Sequence, residues 1–392
     1  MTQAVGNEPA QINFIKMKIL VITFTGGLNP GTYMQALGVK TALLRLWPDA
    51  DVDFLNFYNF KEGNAYGARG KKDAILNTIL QKGYAAYRLL RYNKLRSKNF
   101  RYTQRIDLFH YSEQDVEMLK KYDLIVIGSD TILEKAYGKD GCICLNWMPL
   151  EIPKIYFAAS ASPANFKGTK QLKDVAEKAS FIGLRDDLTI NFFEQELGVD
   201  PSRIIKQPDP SFFLNIDSLD ITDSMRRRLK SEENYALYNF SSNFPLRKEL
   251  ADGIRSCGYK VVTTAYSPYS DICFAKVNAL EWAGLFKYMD IIVTERFHDS
   301  VFGLRNGKPV VAIDWDPNRF SSDGDSKTLR ILQDYGMEQF HFNLATDSQL
   351  VQVVESIKNI RDVFYKDKLE TVNQMFYEKN DNILKQIKES LK

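Results

Sequence analysis

Apolar and polar positions along the chain fall into two successive blocks of alternating strand and helix signals. Residues 18–24, Lys-Ile-Leu-Val-Ile-Thr-Phe, are a short continuous apolar run rich in β-branched side chains, the pattern of a strand covered on both faces of a parallel sheet. A glycine-rich loop follows at 26–32. Met34, Leu37, Ala42, Leu43 and Leu46 then share one face of a helix predicted over 33–46, and 51–57 alternates as a second strand. Further strands are predicted at 123–127, 154–159 and 180–184. Each ends in small or polar residues: Gly128-Ser129-Asp130, Ser160-Ala161-Ser162 and Arg185-Asp186-Asp187. The carboxyl ends of parallel strands line the ligand crevice of an open α/β sheet, so a site is expected at these ends. Pro208-Asp209-Pro210 closes the block.

A charged connector, expected to be helical, covers 217–233. Strand signals then recur at 235–240, 259–264, 290–294 and 309–313, with helix signals at 245–257, 279–288 and 299–306 between them. Residues 348–392 read as charged helix that can pack back across the domains. A length of 392 residues exceeds what one ordinary core serves. The expected architecture is therefore α/β, with two doubly wound, Rossmann-like domains facing a cleft, resembling the GT-B glycosyltransferases. Its parts are an N-terminal domain at 17–216, a C-terminal domain at 233–345 and closing helices at 346–392.

Charge changes this picture in one place. Residues 61–105 hold twelve Lys or Arg against Glu62 and Asp73, about +10, while the whole chain carries only +3. Ile75, Leu76, Ile79, Leu80, Tyr84, Tyr87, Leu89 and Leu90 interleave with the charges, which reads as a basic amphipathic helical insertion. Nucleic acid is not the expected partner, because the rest of the chain is net acidic and carries no recognition motif. The cysteines, Cys142, Cys144, Cys257 and Cys273, lack zinc-site spacing and are expected as free thiols. With only His110, His298 and His341, a multi-histidine metal site is not expected. His110 and His341 are expected to be surface or packing residues. The first sixteen residues lack the basic start and apolar run of a signal peptide, Met17 is a candidate start, and no apolar run is long enough to span a bilayer. A cytoplasmic protein is expected.

Six segments in fixed order resemble the polysaccharide pyruvyltransferase family. They are Asn29-Pro30-Gly31-Thr32 with Gln35-Ala36-Leu37; Tyr122-Asp123 through Gly128-Ser129-Asp130; Lys154 to Ser160; Leu184-Arg185-Asp186 with Asp209-Pro210-Ser211; Thr294-Glu295-Arg296-Phe297-His298 with Gly307-Lys308-Pro309-Val310; and Ser326-Lys327 ahead of Leu329 to Gly336. The resemblance runs from about residue 18 to about 340. Relatives often continue Gly-Ser-Asp with Gln and an aromatic residue. Here Thr131-Ile132-Leu133 follows, which points to an unusual acceptor if that loop touches it.

The resemblance implies transfer of the pyruvyl unit of phosphoenolpyruvate onto two hydroxyls of a saccharide, forming a ketal and releasing phosphate, with no further cofactor and no obligatory metal. It implies that Arg296 grips the donor and His298 is the general acid, with Phe297 between them. Arginine's planar fork suits phosphate or carboxylate, and histidine titrates near working pH. On an extended segment the two would point to one side; at a helix start they diverge. The rival reading pairs Arg296 with Glu295 or Asp299 and makes His298 a helix cap. The resemblance also places an anion-binding arginine at Arg185, with pairing to Asp186 and Asp187 as the rival, and Lys327 is a second candidate for that job. Gly31 and Thr32 sit where free N–H groups at a helix start favour an anion or a sugar hydroxyl, or where a tight turn needs glycine. Beside Ser129, Asp130 could orient or deprotonate an acceptor hydroxyl, or cap a helix. Because relatives often use polyprenyl-linked saccharides, the basic segment 61–105 is expected to lie on the inner membrane surface. A GT-B glycosyltransferase using a nucleotide sugar is the alternative reading.

Overall fold

The computed structural model describes residues 16–58, 73–107, 110–133, 151–161, 170–318, 320, 326–363 and 366–392. Cys142, Cys144 and residues 61–72 of the basic segment lie outside these. Two fully parallel sheets form the frame. The first joins β1 (Lys18–Ile22), β2 (Asp51–Tyr58), β3 (Arg101–Asp107), β4 (Leu124–Ile127), β5 (Lys154–Ala159), β6 (Phe181–Leu184) and β7 (Ile204–Lys206), in the order β3-β2-β1-β4-β5-β6-β7. Its helices are α1 (Pro30–Leu46), α2 (Asp73–Asn99), α3 (Glu113–Glu117), α4 (Lys170–Lys178) and α5 (Asp187–Gln195). Strands β1, β4 and β5 are buried at nearly every position, which is why they read as continuous apolar runs.

The chain then passes through α6 (Asp223–Arg226), the only α-helix in a connector expected to be helical throughout. The second sheet follows in the order β10-β9-β8-β11-β12-β13, built from β8 (Asn234–Asn239), β9 (Tyr259–Thr263), β10 (Ile272–Cys273), β11 (Ile291–Thr294), β12 (Val310–Asp314) and β13 (His341–Asn343). Its helices are α7 (Arg247–Ser256), α8 (Ala279–Leu285), α9 (Phe297–Arg305), α10 (Lys327–Asp334), α11 (Leu350–Val363) and α12 (Lys366–Ser390). The fold is two doubly wound α/β domains in a GT-B-like arrangement. In each sheet the strand order reverses once, between β1 and β4 and between β8 and β11. Reversal points are where open α/β sheets leave a crevice for a ligand.

The two domains are stitched together along segment 209–214. Gly38 of α1 lies so close that a Cβ there would stand 2.1 Å from the Pro210 carbonyl oxygen, so α1 can pack on this segment only with glycine. From the second domain, Arg305 at the end of α9 donates to the carbonyls of Ser211 (2.7 Å) and Leu214 (2.9 Å). Its guanidinium also lies 4.5 Å from the Phe212 ring centre. Helix α12 returns to the same place, with Phe376 and Tyr377 edge-on to Phe212.

The basic segment differs from expectation. Asp73–Asn99 form the expected helix, but the segment's carboxyl end is β3, and four of its arginines have structural partners. Arg91 makes a bidentate pair with Glu281 at 2.7 and 2.8 Å, joining α2 to α8 of the other domain. Buried Arg96 donates to the carbonyls of Thr25 and Gly27, and Arg88 reaches the carbonyl of Leu28 at 3.1 Å. These side chains hold the loop before α1. Arg101 pairs with Asp51 and Asp53 across the sheet edge. Among the described residues of the segment, Arg91 and Arg101 are paired with carboxylates and Arg88 and Arg96 bond backbone carbonyls, while Lys82, Lys94, Lys98 and Arg105 are exposed.

Candidate active site

Helix α1 starts three residues earlier than its apolar face suggests. Asn29 caps it, accepting from the Gly31 N–H at 3.0 Å, with Pro30 as the first helical residue, where proline's missing N–H costs nothing. Gly31 and Thr32 therefore lie in the first turn, at the β1/β4 crevice. The Thr32 hydroxyl donates to Asp130 Oδ2 at 2.9 Å. Asp130 follows β4 with φ of 72°, a left-handed backbone that aspartate tolerates better than most side chains, and its Oδ1 accepts from the Thr131 N–H. Of the residues that depart from the family pattern, Thr131 is half-buried, while Ile132 and Leu133 are buried in the first domain's core. These two face packing, not the crevice.

Helix α9 likewise starts early, at Phe297, with Arg296 as its N-cap. Arg296 and His298 therefore diverge. The Arg296 backbone N–H bonds to Thr294 Oγ1, while its side chain is exposed and forms no ion pair among the described residues. The neighbours that could have paired with it are engaged elsewhere. Glu295 accepts from the Ser241 N–H and Trp315 Nε1. Asp299 accepts from Asn239 and Thr294, and burial raises its pKa. An exposed arginine at the β8/β11 crevice beside a helix N-terminus is available to an anion.

His298 turns inward, across the domain boundary. Its ring packs on Gly31, where a Cβ would stand 2.2 Å from Cγ and Nδ1; only glycine admits the ring here. Its Nε2 stands 3.6 Å from Asp209 Oδ2 and makes no hydrogen bond among the described residues. Asp209, quoted above only as part of the Asp209-Pro210-Ser211 segment and given no role, is the hub. It accepts from Gln35 Nε2 at 2.7 Å and the Ser211 N–H at 2.9 Å, and lies 3.5 Å from Arg185 Nη1. Burial works to raise the Asp209 carboxyl, but His298, Arg185 and Ser211 outweigh it and hold the group well below the usual carboxylate range. Gln35 extends the hub to the buried Ser129, whose Oγ lies 3.5 Å from Gln35 Oε1.

Arg185 follows β6 and is buried. Its guanidinium lies 4.9 Å from the Phe297 ring centre, so Phe297 stacks on it from the other domain. Of the two aspartates after it, Asp186 stands 3.9 Å away and Asp187 pairs with Lys206 instead. The Arg185 Nε and Nη1 groups make no hydrogen bond among the described residues. Lys327 Nζ donates to Ser160 Oγ at 2.8 Å, and that hydroxyl donates to Asp186 at 2.6 Å. Burial tends to raise the Asp186 pKa, but Lys327, Arg185 and two hydroxyls hold it low. His341, expected at the surface or in packing, braces the start of the helix that carries Lys327. His341 bonds Asp314 at 2.8 Å and Ser326 at 3.1 Å, and Ser326 caps α10, whose first residue is Lys327. His110 pairs with Asp107 at the surface. Cys257 and Cys273 are free, and the described residues hold no cluster of metal-ligating side chains.

Apart from Arg296, the candidate residues thus form one connected set across the cleft: Asp130 and Thr32, Gly31 against His298, His298 beside Asp209, Asp209 beside Arg185, Phe297 over Arg185, Ser129 beside Gln35, and Lys327 joined through Ser160 and Asp186. A cavity of about 290 Å³ adjoins it, lined by Arg185, Phe297, Lys327 and Asp209. The arrangement offers cations and unpaired N–H donors to an anion and an imidazole nearby for proton transfer.

A family model for polysaccharide pyruvyl transferases matches residues 29–317. No curated protein matches the chain in sequence. Among solved structures, the UDP-GlcNAc 2-epimerase from Neisseria meningitidis bound to UDP-GlcNAc is similar, with TM-score 0.53 and 12% identity over 95% of this chain and 100% of that one. A putative UDP-N-acetylglucosamine 2-epimerase from Listeria monocytogenes gives TM-score 0.55 and 10% identity over 95% and 96%. At such identities the likeness is one of fold.

Proposed function

The chain belongs to the polysaccharide pyruvyl transferase family, and from this premise we propose that it moves the pyruvyl unit of phosphoenolpyruvate onto two hydroxyls of a saccharide, as a ketal. The carrying observation is the convergence of Arg185, Phe297, His298 and Lys327 from two domains around one cleft, with buried Arg185 N–H groups near Asp186 and Asp209 but without a hydrogen bond among the described residues. Phosphoenolpyruvate is a small trianion, which such donors fit. In this reading the arginines hold its phosphate and carboxylate, and His298 gives a proton to the methylene carbon. The resulting electrophilic carbon takes one acceptor hydroxyl, phosphate leaves, and the second hydroxyl closes the ketal. One hydroxyl proton replaces that given by His298, and the other leaves with phosphate. Asp130, hydrogen-bonded to Thr32, is placed to orient the acceptor. The test is thermal shift: phosphoenolpyruvate should stabilise the protein and a nucleotide sugar should not. The opposite result favours a glycosyltransferase.

Arg296→Lys is expected to raise KM for phosphoenolpyruvate, lower kcat, or both, because lysine lacks the bidentate fork. Steady-state kinetics with both constants unchanged would remove Arg296 from donor binding.

We place a polyprenyl-linked acceptor at an anionic membrane surface, and the structure redraws the face that would meet it. Arg88, Arg91 and Arg96 are engaged by the Leu28 carbonyl, Glu281 and the Thr25 and Gly27 carbonyls, whereas Leu90 of α2 is 70% exposed, Tyr87 and Leu89 are also exposed, and so are Lys82, Lys94 and Lys98 of the same helix. No described helix is long and apolar enough to cross a membrane. Exposed apolar side chains on a helix that also exposes lysines suit an anionic leaflet, each lysine contributing about 1 kcal/mol near the surface. The protein should pellet with anionic vesicles at low salt, and Leu90→Glu with Lys94→Glu should abolish this. Wild type remaining in the supernatant contradicts the idea.

A further inference from the structure

The cavity beside Arg185 runs on to Lys206 of β7, Arg330 and Asp334 of α10, and Phe376 and Lys379 of α12; neither His298 nor Arg296 lines it. Its walls contain donors with nothing to donate to. Gln207 is fully buried, and its Oε1 accepts the Ala158 N–H at 2.9 Å. That bond fixes the amide so that Nε2 faces elsewhere, and Nε2 has no partner among the described residues. Arg330 spends Nη1 on Gln333, while its buried Nε is likewise unpartnered. Each unmet group is an N–H. Leaving such groups unpaired in the interior is costly, and an acceptor reaching them from the cavity would relieve that cost.

Charge points the same way. Five cations line the cavity against three carboxylates, a surplus that a phosphate dianion offsets. Asp334 is already paired with Lys206, and Asp186 accepts from Ser160 and Thr189. Lys379 pairs with no carboxylate among the described residues, and desolvation followed by the Lys206 ammonium pushes its pKa down. An anion between these groups would relieve both effects.

We propose that Gln207, Arg330 and Lys379 form a phosphate subsite that receives the phosphate released from the donor, on the side of Arg185 away from His298. The source of the phosphate rests on the donor assignment above; the chemistry of the subsite does not. Departing phosphate would then have a place to go without displacing the three-carbon unit from His298 and Arg296. A separate phosphorylated ligand is the other possible source.

The test uses the full-length protein and inorganic phosphate. Calorimetric titration should show binding to wild type, weakened about tenfold or more in Arg330→Gln and in Lys379→Gln, as for loss of a charged hydrogen bond. Product-inhibition kinetics should show phosphate competing with phosphoenolpyruvate, with Ki raised in both variants more than KM for phosphoenolpyruvate. Unchanged phosphate affinity in both variants overturns the subsite. Binding that weakens in the variants without competing with phosphoenolpyruvate overturns the released-phosphate source in favour of a separate ligand. Phosphate binding as expected, with phosphoenolpyruvate not turned over, supports the subsite and defeats the donor assignment instead.

Discussion

His298→Ala is expected to lower kcat by about 10²–10⁴-fold, the usual weight of general acid catalysis, while the protein stays folded. The ring sits at the domain boundary on Gly31, and its Nε2 makes no hydrogen bond among the described residues. Its removal therefore leaves one buried carboxylate, Asp209, still held by Gln35 and the Ser211 N–H. Circular dichroism should remain that of a folded protein, with the unfolding midpoint lowered by the lost ring packing and the lost His298–Asp209 contact. His298→Gln should restore packing without restoring turnover, since an amide cannot deliver a proton at neutral pH. A folded His298→Ala protein with near wild-type kcat removes the imidazole from the mechanism.

Asp209→Asn is expected to cost both stability and rate. Breaking a buried ion pair by removing one partner typically costs about 3–5 kcal/mol, and Asp209 serves Arg185 and His298 together. The amide would turn N–H groups toward donors. The pH dependence has a definite sign. The folded carboxyl titrates well below its unfolded value of about 3.9, so its contribution is fully present above the unfolded pKa and is lost as pH falls toward the folded one. Urea unfolding should show a constant gap between wild type and Asp209→Asn above about pH 5, narrowing below about pH 4. A gap that does not narrow assigns the loss to packing. Because Asp209 also sets the charge facing His298, the variant's pH–rate profile should shift, which a purely structural role would not produce.

The fold was legible where burial is two-sided. Strands β1, β4, β5, β11 and β12 announce themselves as apolar runs because both faces are covered. The four edge strands, β3, β7, β10 and β13, were not legible. In β3 the strand alternation of Arg101 to Asp107 lies inside a basic run, and β7, β10 and β13 have only two or three residues each. Within the same run, nothing local tells that Arg91 meets Glu281 190 positions away. Site residues at strand ends, Arg185 and Asp130, could be placed from the sheet rule alone. Asp209, Gln35 and Gln207 could not, since their roles arise from contacts between distant segments. Asp209 gave a faint signal in Pro208-Asp209-Pro210, where flanking prolines fix the backbone around one carboxylate.

Incubation of the purified protein with phosphoenolpyruvate and a panel of polyprenyl-linked saccharides, followed by mass spectrometry and a phosphate assay, tests the central claim most directly. The account predicts an acceptor heavier by one pyruvic acid less one water, formed with equimolar phosphate, and absent from the His298→Ala reaction. Phosphate release without acceptor modification, or modification by a nucleotide sugar in place of phosphoenolpyruvate, contradicts it.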